Sequence, residues 1–117
     1  MGFQFKCFEW VVKAFGFESA IDPLIRVQRL LEEVIELAQA LGFSRENAHK
    51  MVDYVYDRPA GEVMQEVGGV MCTLGSLCEA IGISMHSAGI HELHRAFKMI
   101  DVIKEKHKTK PKFDAAA

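Results

Sequence analysis

Apolar residues recur along most of this 117-residue chain at alternating three- and four-residue steps, the spacing that lines one side of an α-helix. Phe5, Phe8, Val11, Val12 and Phe15 form the first stripe, with Gly16 behind it able to take a left-handed end position, so a helix is expected over 4–15. Asp22-Pro23 then offers an N-cap followed by proline at the first helical position. From there Leu24, Val27, Leu31, Val34, Ala38 and Leu41 make a sustained seam that stops at Gly42. Ser44 caps a third segment, whose apolar side is Ala48, Met51, Val52 and Val55 and which breaks at Arg58-Pro59-Ala60-Gly61. A fourth runs over 62–81 and closes at Gly82, and Ser84 caps a last one with the stripe Ile90, Leu93, Phe97 and Ile100. Strand-like alternation and internal repeats are absent. The pattern predicts an all-α helical bundle of four to five helices, one domain over 1–106, with a tail at 107–117 that has lost periodicity and is expected to be disordered.

The polar positions carry the candidate chemistry. Glu32, Glu33 and Glu36 fall on an arc opposite the second helix's apolar seam, with Arg26 and Arg29 one or two turns before them. One reading is a solvated face laced with Arg–Glu pairs, each contact contributing a few tenths of a kcal/mol. The other is a hard-cation site, because several oxygen anions crowd together favourably only when an ion such as Mg²⁺ neutralises them. In the fourth segment, Glu62 and Glu66 are one turn apart and share a face with Gly69 and Thr73. The adjacent Gly68 and Gly69 each cost roughly 0.5–1 kcal/mol in a helix interior, which implies close approach by another helix or a ligand. Cys72, Gly75 and Ser76 continue that strip of small residues. In the last segment His91, Arg95 and Lys98 line a basic face. Its His91-Glu92-Leu93-His94 run has the histidines three apart and so lacks the HExxH zinc spacing. Trp10 lies off the first stripe, as a packing residue for a neighbour or second subunit, or as a face on which a nucleobase stacks.

Composition narrows the classes. Hydrophobic content of 50% in 117 residues is enough for one modest core, and the net charge of −2 disfavours bulk nucleic-acid binding. Cys7, Cys72 and Cys78 form neither CxxC pairs nor an even disulfide set and read as reduced core thiols. No apolar run reaches the ~18 residues of a membrane span, and the N-terminus lacks the basic, apolar and small-residue sections of a signal peptide, so the expected location is cytoplasmic.

Glu32-Glu33-Val34-Ile35-Glu36, followed after another helix by Glu66-Val67-Gly68-Gly69, resembles the paired EExxE and ExxD motifs of the MazG-like, all-α NTP pyrophosphatase superfamily. The resemblance covers about residues 22–104 and includes the words around the first motif and the Gly82-Ile83-Ser84 start of the final helix. It implies a Mg²⁺-dependent enzyme, with Mn²⁺ as a substitute, that hydrolyses an NTP or dNTP between the α- and β-phosphates to leave a monophosphate and pyrophosphate. It further implies Glu33, Glu36 and Glu66 as metal ligands, with Glu32 supporting or activating water. For such chemistry Arg95 and Lys98 on the basic face of the last helix, and Arg29 beside the carboxylates, would contact phosphate oxygens; the other reading of that face is a solvated one. Gly69 stands where the family has aspartate, which removes one oxygen ligand. Water, Glu62 or Asp53 would have to fill the octahedron. The spacer between the motifs is also long, so substrate choice does not transfer.

The superfamily is typically dimeric or tetrameric. Broad apolar arcs and the small-residue strip agree with a core completed by homo-oligomerisation. Beside the enzyme stands an alternative, a catalytically lapsed MazG-like module for nucleotide sensing or protein interaction.

Overall fold

The computed structural model describes residues 2–113, all helical or in loops, with seven helices and no strand among them. In chain order these are α1 (Phe3–Phe15), α2 (Phe17–Ala20), α3 (Pro23–Ala40), α4 (Arg45–Tyr56), α5 (Val63–Ile81), α6 (Met85–Lys98) and α7 (Ile100–His107). The boundaries have local causes. Asp22 Oδ1 accepts from the amides of Leu24 and Ile25 at 3.0 and 3.3 Å, holding the first turn of α3, and Ser44 Oγ accepts from the Asn47 amide at 3.1 Å to start α4. Gly82, at φ 72° and ψ 29°, takes the left-handed conformation that ends α5, and Ile83 N donates back to Cys78 O at 3.0 Å.

Two features differ from the periodicity reading. Phe17–Ala20 forms a separate four-residue helix, because Gly16 at φ 90° and ψ 162° turns the chain and a new turn starts at once. The stripe from Ile90 to Ile100 is divided at Met99 (φ −110°, ψ 22°) into α6 and α7.

The chain divides into two compact units, 1–32 with 86–117, and 33–85. In the first, α1 packs on α2 and α7 through small residues and ring edges. Ala14, Ala20 and Ala96 are the buried residues of the described chain. The Phe8 and Phe17 rings meet edge-on at 6.4 Å, and Phe15 stacks on His107 at 4.2 Å. Lys13 Nζ lies 5.5 Å from the Phe97 ring centre. Gly89 is a close-approach glycine that periodicity did not mark, since a Cβ there would sit 3.0 Å from the Phe3 ring.

In the second unit, α4 and α5 have no buried residue. The α3 seam is uncovered as well: Leu24, Val27, Leu31, Val34 and Leu41 are each about half exposed. The more covered side of the first turns of α3 is instead Ile25, Arg26, Gln28, Arg29 and Glu32. No single helix among the described residues is long and apolar enough to cross a membrane.

Candidate carboxylate site and its surroundings

α3 carries Glu32, Glu33 and Glu36 on one continuous helix, as spacing predicted, but they meet different surroundings. Glu33 and Glu36 are exposed, whereas Glu32 is partly covered. Glu32 Oε2 accepts from Lys110 Nζ at 2.6 Å, and its Oε1 lies 3.4 Å from Arg29 Nη1. Two cations therefore already neutralise the carboxylate expected to support water.

On α5 the two glutamates also separate. Glu62 is the N-cap, its oxygens accepting from Met64 N and Gln65 N at 3.3 and 3.2 Å, so its carboxylate is engaged by the helix start. Glu66 sits in the first turn with its side chain against Gly61, where a Cβ would come within 3.2 Å of Oε2. Gly69 is helical, and Thr73 Oγ1 donates to its carbonyl at 2.8 Å. A Cβ at Gly68, Gly69 or Gly75 would meet no heavy atom of the described residues within 4 Å beyond its own stretch of helix, so the space in front of these glycines is open. Glu33, Glu36, Asp53, Glu62 and Glu66 all belong to the second unit, but no three His, Cys, Asp or Glu side chains among the described residues converge as a metal-holding group.

The expected phosphate contacts also divide. Arg95 is held by Glu92 in a two-pronged pair, Nε to Oε1 at 2.8 Å and Nη2 to Oε2 at 2.5 Å. Those hydrogen bonds keep Glu92 below the ordinary carboxylate range. Lys98 is exposed near the end of α6. Arg29 is half-buried and donates through Nη2 to Pro111 O at 2.7 Å. Trp10 packs edge-on against Phe15 at 5.5 Å, and its Nε1 is buried without a hydrogen-bond partner among the described residues. The apolar hollow at the end of α3, lined by Ala38, Leu41, Gly42 and Phe43, contains none of the candidate ligands.

The sequence reading missed the role of the C-terminal segment. Through Phe113 it lies against the start of α3: Gln28 Nε2 donates to Phe113 O at 3.0 Å, and Phe113 N returns to Gln28 Oε1 at 3.3 Å. The available signal was the alternation of Lys106, Lys108, Lys110 and Lys112, a run of cations in search of anions. Residues 114–117 of the expected tail lie outside the described residues. Among the thiols, Cys72 is exposed rather than in a core, and Cys7 and Cys78 are half-buried.

Set against family models, curated proteins and solved structures, the chain matches none of them.

Proposed function

We propose that this chain is a Mg²⁺-dependent nucleoside triphosphate pyrophosphohydrolase, acting on an NTP or dNTP as a homo-oligomer. The observation that carries the reading is the pair Glu33 and Glu36, three residues apart and solvent-facing on α3. Mg²⁺ characteristically takes one or two protein carboxylates and fills its octahedron with water and substrate phosphates, so two glutamates on one helix suit it without a complete protein cage. Glu66, in the first turn of α5, is the third oxygen donor of the proposal. The bound ion would offset phosphate charge and orient the attacking water. The resemblance of the Glu32–Glu36 and Glu66–Gly69 words to the MazG-like superfamily supports the same reaction.

The oligomer is supported by what one chain leaves uncovered. Val63, Met64, Val67 and Met71 on α5 are 79%, 81%, 63% and 66% exposed, and the α3 seam is about half exposed. Full burial of such a side chain is worth about 1.5–3 kcal/mol, whereas association costs on the order of 4–15 kcal/mol. The half-exposed seam alone therefore barely offsets association, and the α5 face must contribute too. The glycines of α5, with open space in front of them, admit a helix from a second copy.

A catalytically lapsed module for nucleotide sensing or protein interaction is the second reading, favoured by the same exposed α5 face together with Gly69 in the aspartate position. A panel of nucleoside triphosphates incubated with Mg²⁺ separates the two. Release of monophosphate and pyrophosphate in equal amounts supports the enzyme. Nucleotide binding without turnover, or no binding at all, selects the module.

A further inference from the structure

The start of α3 and the C-terminal segment bring four cations together. Arg26 and Arg29 come from α3, Lys110 from the stretch after α7, and Lys112 follows two residues on. Facing them are Glu32, paired with Lys110 and Arg29, and Asp22, whose carboxylate is engaged in capping α3. Among the described residues positive charge is thus in excess here, with Arg26, Arg29 and Lys110 partly removed from water and Lys112 exposed.

The guanidinium donors are incompletely used. Arg26 Nη2 donates to Ser19 Oγ at 3.1 Å, but Arg26 Nε, Arg29 Nε and Arg29 Nη1 are buried with no hydrogen-bond partner among the described residues. Arg29 Nη1 lies 3.4 Å from Glu32 Oε1 without the alignment of a hydrogen bond. Buried donors left unsatisfied are uncommon because each retains its desolvation cost, and several on adjacent arginines point to a ligand rich in acceptors. Neighbouring groups sense the same field. Burial, followed by the charge of Arg29, makes Arg26 easier to deprotonate. Burial and then Lys112, Arg29, Arg26 and Lys110 push His107 down.

We propose that Arg26, Arg29, Lys110 and Lys112 form an oxyanion site that takes a multiply charged phosphate group. A phosphate presents several acceptor oxygens in the geometry that guanidinium forks meet in pairs, and two or more negative charges balance the excess. Glu32 is the internal anion of this site, and it competes with the ligand for Lys110. The site needs neither a metal nor turnover, although it includes Arg29 and Glu32, which the sequence also offered to the pyrophosphohydrolase reading.

The test is calorimetric titration of the full chain with inorganic pyrophosphate at low ionic strength, with EDTA present. Saturable binding is expected, weakened about tenfold or more by Arg26→Gln, and by Lys112→Ala, an exposed position at which loss of the fold is not at issue. Glu32→Gln should tighten binding, and Glu46→Gln, at an exposed pair with Lys50, should leave it unchanged. A nucleoside triphosphate that binds more tightly than pyrophosphate identifies the phosphate as a nucleotide's, and equal affinity identifies it as free. Either result upholds the site. Absence of saturable binding, or affinity untouched by both Arg26→Gln and Lys112→Ala, overturns it.

Discussion

Gly69 stands three residues beyond Glu66 on α5, and the space in front of it is open within one chain. An aspartate placed there meets no heavy atom at its Cβ and adds an oxygen donor on the same helix face. Gly69→Asp is therefore expected to tighten Mg²⁺ binding in a calorimetric titration. It should simultaneously weaken self-association if a second copy packs on that glycine. Weaker Mg²⁺ binding with unchanged association contradicts both expectations. Cysteine reactivity tests burial at the same scale. Cys72 is exposed, whereas Cys7 is half-buried and its thiol is pushed up by that burial. A thiol reagent added near neutral pH should label Cys72 before Cys7, since the thiolate is the nucleophile. Peptide mapping after brief labelling checks the order.

Among the elements, the α1–α7 contact carries a pH dependence. His107 stacks on Phe15 at 4.2 Å, and burial together with nearby cations holds its proton affinity below the ordinary value of 6.5. The unfolded chain consequently takes up that proton first as pH falls. The contribution of His107 to stability is fully present above about 6.5 and is lost as pH drops from there toward the lower folded value. Melting curves at pH about 7.5 and about 5.5 should show a larger acid loss for the parent than for His107→Phe. Equal losses would remove His107 from the account. How much of these elements was legible depended on where the signal was local. Asp22, Ser44 and Gly82 mark real helix ends because a cap acts within a few residues, and all three do so in the structure. The break at Met99 has no proline or glycine to announce it, and the apolar stripe runs through it. The hold of Lys110 on Glu32 joins positions 78 apart, beyond any local pattern.

For the whole molecule, the seam of α3 and one side of α5 are exposed, and these are the surfaces that the proposed oligomer would cover. Static light scattering at micromolar concentration should report a dimer or tetramer, and a stable monomer would contradict this directly. The candidate site was legible at the level of the glutamates on α3 and α5. It was not legible in their surroundings, because Glu62 is engaged by its own helix start and Glu32 by distant cations. The proposed reaction is assigned to Glu33 and Glu36, both exposed on α3. Either Glu33→Gln or Glu36→Gln should reduce turnover by more than the roughly 10–100-fold that loss of an outer-shell partner costs. The helical fold should be retained, since neither side chain is buried. The most direct measurement is pyrophosphate release from a nucleoside triphosphate panel with Mg²⁺, comparing the parent, Glu33→Gln and Glu36→Gln at matched oligomeric state. Metal-dependent release by the parent that both variants lose is the expected result; a parent with no release from any nucleotide, or variants as active as the parent, would contradict the proposed reaction.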